Sequence, residues 1–182
     1  MLIKAHDYLN SCPKCIFFEL IQDDRQIIPR ILKEIKAARY EILLISPWFY
    51  HKEIEEALIQ KVRSKISVKI LTRPFNKNAR FQDNDLHREA LFNLDQAGVQ
   101  VRGHEKIHLK LIIIDKNRVI LTSKNMIESE AIDSAIVIKD HKWVHYFITE
   151  FYLLYNESIC KYSNPAQYNE TIKKWLLENG IS

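Results

Sequence analysis

Short apolar runs alternate with amphipathic stretches along the first half of the chain. The apolar runs are rich in β-branched and aromatic residues, as buried strands are. The stretches between them repeat apolar positions every three or four residues, as helices with one buried face do. Strands are therefore predicted at residues 15–20, 40–46 and 67–72, and helices at residues 25–38, 52–64 and 83–98. Asp24 suits the beginning of the first helix and Gly98 the end of the third.

The second half of the chain begins as a succession of strands. They are predicted at residues 99–102, 107–114, 118–122 and 134–138, and helices follow at residues 141–156 and 167–178. A short polar segment, residues 115–117, predicts a turn that pairs the second of these strands with the third. Strands that alternate with helices and are followed by consecutive strands indicate an α/β fold, a mixed sheet with helices on both faces. At 182 residues the chain is within the range of one domain, so we expect a single domain over residues 1–182. The sequence contains no internal repeat.

The composition limits the class of protein. Hydrophobic residues make up 47% of the chain and charged residues 27%, which is typical of a globular protein and argues against a disordered one. No apolar run approaches the roughly 18 to 20 residues that span a bilayer, and the first residues lack a signal-peptide core. We therefore expect a soluble, cytoplasmic protein with no membrane partner. Cys12 and Cys15 form a CxxC pair, for which a redox pair, a metal shared with a histidine and two incidental thiols all remain open.

Basic residues outnumber acidic ones, 27 against 23, and part of them are clustered. No acidic residue interrupts residues 61–80, which we call the basic stretch. Such a stretch suits either contact with a phosphate backbone or an ordinary solvated surface. Trp48, Phe49 and Tyr50 follow a predicted strand, where they suit either stacking on nucleotide bases or packing in the core.

Polar side chains frame the most apolar strand of the chain. His108 and Lys110 are two residues apart, so on a strand their side chains point the same way. Ser123 and Asn125 have the same spacing after the next strand. If the turn at residues 115–117 joins the two strands as a hairpin, all four side chains meet at one end of the sheet.

These four side chains have complementary chemistry. The His108 imidazole can attack a phosphorus atom and the Lys110 ammonium can hold an anion. The hydroxyl of Ser123 and the amide of Asn125 can donate hydrogen bonds to phosphate oxygens. The pattern therefore predicts a site for a phosphate group. Asp115 is a carboxylate that can fix the tautomer of a histidine ring, although within one chain it lies at the far end of the strand from His108.

The sequence from His108 to Asn125 resembles the HxK(x)4D(x)6GSxN signature of the phospholipase D superfamily. Five of the six defining positions match, and the sixth is Thr122 in place of glycine. The resemblance extends over about residues 15–157, because the helices and strands on both sides of the motif resemble those of the family. It implies the αβα sandwich of that superfamily, with one motif per chain, and a phosphodiesterase activity.

The resemblance also implies how the site is built. It carries catalytic roles over to His108, Lys110, Asp115, Ser123 and Asn125. Since a working site of this family needs two motifs, it implies a homodimer that reacts through a phosphohistidine without metal or cofactor. The two His108 rings would exchange acid and base roles, and the Asp115 carboxylates would tune them across the interface. Asp133 matches an acidic position beside the family's site, and Thr122 is expected to narrow the pocket or tilt Ser123.

Three classes of function remain open. A nuclease acting on DNA or RNA is favoured by the basic stretch, with Arg73, Lys77 and Arg80 as contacts to the phosphate backbone. Lys124 joins them only if a turn, rather than a continuing strand, follows residue 122. A lipid phosphodiesterase of the phospholipase D type is less favoured because the sequence shows no hydrophobic anchor and no amphipathic membrane helix rich in Trp and Lys. The third alternative is a non-catalytic nucleic-acid-binding module of the same fold.

Overall fold

Four helices and eight strands make up the part of the chain that the structure describes. The structure is a computed structural model, and it describes residues 18–74, 83–128, 131–158 and 160–161. The helices are α1 (Asp24–Ala37), α2 (Lys52–Arg63), α3 (Asp83–Gln96) and α4 (His141–Glu157). The strands are β1 (Phe18–Ile21), β2 (Glu41–Ile45), β3 (Ser67–Thr72), β4 (Gln100–Gly103), β5 (Leu111–Ile114), β6 (Arg118–Thr122), β7 (Ala135–Ile138) and β8 (Cys160–Lys161).

The eight strands form one mixed sheet in the order β1-β7-β6-β5-β2-β3-β4-β8. β2, β3 and β4 are parallel neighbours, because each is joined to the next by a helix that crosses over the sheet. β5, β6 and β7 are antiparallel neighbours, with β5 and β6 joined by the predicted turn. β2 also pairs with β5, which unites the two halves of the chain. The predicted α/β fold with a mixed sheet is confirmed.

Helices cover both faces of the sheet, as predicted. α1, α2 and α3 pack on one face, and α4 packs on the other. A hydrophobic core lies on each face of the sheet, and successive residues of a strand point alternately into one core and the other. Ile42 and Ile112 face α1, α2 and α3, whereas Leu43 and Ile113 face α4. Because both faces are buried, β2 and β5 are apolar at nearly every position and show no polar alternation in their sequences.

The first helix begins one residue away from the predicted cap. The Asp23 carboxylate, not that of Asp24, accepts the backbone N–H of Arg25 at 3.1 Å and caps α1. The third helix ends as predicted, with Gly98 at a φ of +96°, a conformation that favours glycine.

The strand predicted from residue 107 begins only at Leu111. Its antiparallel partner β2 ends at Ile45, two residues before Pro47. Because proline has no N–H to offer, the ladder cannot continue past this point. The prediction that His108 and Lys110 stand on a strand is therefore wrong, although both residues remain next to its beginning.

Several predictions fall outside the described residues. They concern the beginning of the first strand at residues 15–17, the helix at residues 167–178, and the pair formed by Cys12 and Cys15.

Four segments meet at one edge of the sheet, which we call the site edge. Because β5, β6 and β7 are antiparallel, the beginning of β5, the end of β6 and the beginning of β7 share this edge. The end of β3 joins them, since β3 is parallel to β2 and β2 is antiparallel to β5. The described segments of the site edge are residues 73–74, 107–110, 123–128 and 131–134. The turn at residues 115–117 lies at the opposite edge, the far edge.

Candidate active site

His108 and Lys110 lie at the site edge on the segment that leads into β5. The His108 side chain is exposed, whereas Lys110 is only 9% exposed. The Lys110 ammonium donates to the His108 backbone carbonyl at 2.9 Å. The Lys110 carbonyl in turn accepts the backbone N–H of Thr122 at 3.2 Å. The two side chains therefore share one location with unequal access: an imidazole open to a ligand beside an ammonium that is mostly shielded from water.

Ser123, Lys124 and Asp133 form a cluster at the same edge. The Ser123 hydroxyl donates to one Asp133 carboxylate oxygen at 2.5 Å, and the Lys124 ammonium lies 3.5 Å from the other oxygen. Lys124 is only 5% exposed, so salt screens this ion pair weakly. Because β6 ends at Thr122, a turn follows and not a continuing strand. Lys124 therefore points into the same cluster as Ser123. This is the arrangement predicted for the case in which a turn follows residue 122.

Asn125 and Arg73 complete the site edge. The Asn125 side-chain oxygen is buried and has no hydrogen-bond partner among the described residues. The Arg73 Nε donates to the Ile107 carbonyl at 2.9 Å and ties the end of β3 to the segment that carries His108.

Positive charge exceeds negative charge at this edge. The described residues of the edge include three cations, Arg73, Lys110 and Lys124, and two carboxylates, those of Asp133 and Glu128. Burial lowers the pKa of Lys110, the charge of Arg73 lowers it further, and the charge of Asp133 opposes both effects. A bound anion would relieve the repulsion between the cations and favour the charged lysine. The electrostatics of the edge are therefore those of an anion site.

Asp115 lies away from this cluster, as expected within one chain, and its predicted role across a dimer interface stays a prediction. It lies in the turn at the far edge, seven residues from His108, which is roughly 20 Å of extended chain. Its carboxylate accepts the backbone N–H groups of Arg39, Tyr40 and Glu41 at 2.7 to 3.1 Å. Asp115 therefore fastens the hairpin of β5 and β6 to the connection between α1 and β2, which is a structural task.

The described part of the basic stretch, residues 61–74, does not form one continuous surface. Toward the far edge, Lys69 pairs with Glu41 at 2.6 Å, and Lys61 donates to two backbone carbonyls at the end of α1. These lysines stabilise the fold and are not directed at a ligand. Arg73, by contrast, lies at the site edge. Two other predicted contacts, Lys77 and Arg80, lie outside the described residues.

The three aromatic residues that follow β2 are mainly structural. Phe49 is 0% exposed and belongs to the core beneath α1, α2 and α3, and Tyr50 packs against the same core. Trp48 is partly exposed and contacts the His87 ring edge to face, with 5.2 Å between the ring centroids. The core alternative is therefore confirmed for Phe49.

No role for His87 is predicted from the sequence, yet it braces the site edge. The ring is 0% exposed, its Nδ1 accepts the Phe49 N–H at 2.9 Å, and its Nε2 lies 3.3 Å from the Arg73 carbonyl. Because Nδ1 is an acceptor, Nε2 carries the proton and donates to Arg73. Burial lowers the pKa of His87, which favours this neutral form. Its spacing from Leu91 and Leu94 on α3 is the signal in the sequence that the ring would be buried.

The described residues contain no group of three or more histidine, cysteine, aspartate or glutamate side chains placed to hold a metal ion. Among the helices of that same part of the chain, none is long and apolar enough to cross a bilayer.

One family profile matches most of the chain. The family is described as "Cardiolipin synthase, PLD-like domain", and its match covers residues 31–154, which include every described segment of the site edge. No curated protein matches the chain significantly.

Solved structures share the fold at low sequence identity. Nuc of Salmonella typhimurium, a phospholipase D family member, superimposes with a TM-score of 0.70 and 18% identity over 81% of this chain and 99% of its own. NucT from Helicobacter pylori gives a TM-score of 0.68 and 15% identity over 79% of this chain and 98% of its own. TrmBL2, an archaeal chromatin protein whose structure is described as showing a novel mode of DNA binding, gives a TM-score of 0.58 and 21% identity. This match covers 78% of this chain and 54% of TrmBL2. The profile match and the shared fold agree with the motif, and the chain belongs to the phospholipase D superfamily.

Proposed function

We propose that this chain is a phosphodiesterase that cleaves nucleic acid without a metal ion, as a homodimer. One observation supports the proposal most: the exposed His108 imidazole lies at the same sheet edge as three cationic side chains, the Ser123 hydroxyl and the Asn125 amide. A phosphate group at this edge would meet a nucleophile, a positive field and hydrogen-bonding groups at once. In this proposal, the side chains supply the stabilisation that a metal ion gives in other phosphodiesterases.

His108 is the nucleophile of the proposed reaction. Its ring nitrogen forms a bond to phosphorus while the bond from phosphorus to the leaving oxygen breaks, and a second imidazole gives that oxygen a proton. Water then attacks the phosphohistidine, the phosphorus–nitrogen bond breaks, and the second imidazole accepts the proton of the water. Lys110 and Lys124 stabilise the negative charge on the non-bridging oxygens in both steps.

Asp133 prepares the phosphate site in this scheme. Its carboxylate engages the Ser123 hydroxyl and the Lys124 ammonium, two groups that we expect to contact a phosphate. The carboxylate therefore holds both groups near the positions where a second anion would need them. Preorganised donors of this kind cost little reorganisation at the moment of reaction.

The second imidazole is proposed to come from an identical chain. This chain has a single copy of the motif, and a twofold axis brings the same residue from both subunits to one point. His108 is exposed at the site edge, where a partner can reach it. Activity per chain should therefore fall when the protein is diluted far enough to dissociate, as followed by analytical ultracentrifugation.

Nucleic acid is the proposed substrate because its backbone is a chain of phosphodiesters that cations at a sheet edge can follow. The site edge presents Arg73 next to Lys110, and the similar structure TrmBL2 is described as binding DNA. A diester within a strand has phosphates on either side, so cations beyond the reacting centre would find further partners.

The test is to incubate the protein with single- and double-stranded DNA and RNA in excess EDTA, with His108→Ala as the inactive variant and Lys33→Ala, an exposed lysine of α1, as the matched control. We expect cleavage that persists in EDTA, is lost in His108→Ala and is kept in Lys33→Ala. Acid quenching should trap a phosphorylated histidine. Cleavage that stops on chelation would refute the proposed mechanism.

A lipid substrate is the second candidate, favoured by one observation on α4. Trp143 and Tyr146 are 41% and 50% exposed, next to the exposed Lys142, so aromatic and basic groups do share part of a helix surface. Such residues suit the interface of an anionic membrane, and the matched family is described by cardiolipin synthase. Release of headgroups from phosphatidylglycerol vesicles, without cleavage of any oligonucleotide, would decide for this candidate.

A further inference from the structure

The turn after β6 is fastened to the beginning of β7 by a closed set of hydrogen bonds. The Thr122 hydroxyl donates to the Ser134 carbonyl at 3.0 Å and accepts the backbone N–H of Lys124 at 3.0 Å. The Ser123 N–H donates to the same carbonyl at 3.0 Å, and the Ser134 N–H donates to the Ser123 hydroxyl at 3.1 Å. We call these four residues, Thr122 to Lys124 and Ser134, the clasp.

The clasp carries side chains of the phosphate site on both of its segments. Ser123 and Lys124 follow β6, and Asp133 precedes β7 directly before Ser134. The hydrogen bond from Ser123 to Asp133 and the ion pair of Lys124 with Asp133 therefore depend on how the two segments are aligned. The Thr122 hydroxyl contributes to this alignment twice, once through the Ser134 carbonyl and once through the Lys124 N–H.

Thr122 stands where the motif of the superfamily has glycine, and its backbone does not require one. Non-glycine residues with positive φ in the described chain are Lys65, Asp115 and Lys116, and Thr122 is not among them. A threonine can therefore occupy the position without backbone strain. Its branched side chain is stiff about χ1, so the hydroxyl is held in one direction. The expectation that Thr122 narrows the pocket or tilts Ser123 stays a prediction, and the structure adds the two hydrogen bonds of the Thr122 hydroxyl.

We propose that Thr122 is a positioning residue whose hydroxyl sets the geometry of the phosphate site, which rests on the proposed function of that site. A hydroxyl that donates and accepts at the same time couples its two partners. Without it, the Lys124 N–H loses its bond and the turn at residues 123–125 can shift relative to Asp133. Displacements of about 1 Å at a reacting centre cost on the order of a hundredfold in rate.

The test compares Thr122→Val, which keeps the shape and loses the hydroxyl, with Thr122→Ser, which keeps the hydroxyl. Thr149→Val is the matched control, because the Thr149 hydroxyl makes a single hydrogen bond within α4, to the His145 carbonyl at 3.0 Å. Cleavage of an oligonucleotide gives kcat and KM, and titration calorimetry with inorganic phosphate gives anion affinity. Thermal melting verifies that each variant is folded.

We expect Thr122→Val to lower kcat by about 10- to 100-fold and to weaken phosphate binding, while Thr122→Ser stays within about threefold of the wild type and Thr149→Val is unchanged. Equal losses in the valine and serine variants, or wild-type kcat in Thr122→Val, would overturn the inference. If the wild type cleaves no diester, the proposed function fails by itself. Weaker phosphate binding that is specific to Thr122→Val would then still uphold the positioning role, and unchanged binding would end it.

Discussion

Replacing Asp115 separates a structural role from a catalytic one. The motif predicts that this carboxylate acts on a histidine, whereas the structure places it at the far edge, where it accepts three backbone N–H groups. We expect Asp115→Ala to lower the free energy of unfolding and to leave the turnover of the folded protein nearly unchanged. Asp115→Asn is the matched variant, because it keeps one acceptor oxygen and tolerates the positive φ of this position.

The size of the effect follows from the exposure of the three donors. Glu41 is 9% exposed, and the loss of a charged acceptor by a buried donor costs about 1.5 to 3 kcal/mol. Arg39 and Tyr40 are exposed, so water replaces the carboxylate there at a cost of about 0.5 kcal/mol each. Alanine must also hold a φ of +50°, which costs about 1 kcal/mol. We therefore expect about 4 kcal/mol for Asp115→Ala and about 1 to 2 kcal/mol for Asp115→Asn.

The assay combines denaturant unfolding with kinetics at a temperature where both variants are folded. For a domain of this size, about 4 kcal/mol corresponds to a fall in Tm of about 10 °C. The kcat per folded chain should stay within about threefold of the wild type. A variant with wild-type stability whose kcat falls a hundredfold would refute this reasoning and restore Asp115 to the catalytic site, through a contact from the partner subunit.

Three further predictions concern single side chains. His87→Asn should flatten the dependence of the free energy of unfolding on pH. The folded protein holds the pKa of His87 below its unfolded value, so the wild type loses stability as the pH falls below about 6.5. Parallel curves of unfolding free energy against pH for the two proteins would contradict this. Arg73→Ala should weaken oligonucleotide binding and reduce the slope of log affinity against log salt by about one, whereas Lys33→Ala should change neither. Lys69→Met should lower the free energy of unfolding by about 2 kcal/mol, because the mostly buried Glu41 loses the nearer of its two cations, at 2.6 Å, and keeps Lys116 at 3.6 Å. Urea unfolding should show this loss shrinking at acid pH as Glu41 takes up a proton.

The local pattern of the sequence determined most of the fold. Helices and strands were predictable because apolar positions at periods of about 3.6 and 2 report which side of an element is buried. The family followed from a motif whose spacing is contained within one hairpin, between His108 and Asn125. Local patterns are less informative about where an element stops. Pro47 ends the pairing of β2 with the stretch before Leu111, and only the register between the two strands shows this.

The hairpin pattern in the sequence predicted that His108, Lys110, Ser123 and Asn125 meet, and only the tertiary structure decided which side chains from other segments join them. Arg73, Lys110 and Asp133 come from three segments that are distant along the chain, and they meet because the order and direction of the strands bring those segments to one edge. The same topology sends Asp115 to the opposite edge, although it belongs to the same motif as His108. Spacing along a chain fixes contacts only within a single hairpin or helix, whereas contacts between strands depend on pairing and register, which the packing of the whole core selects.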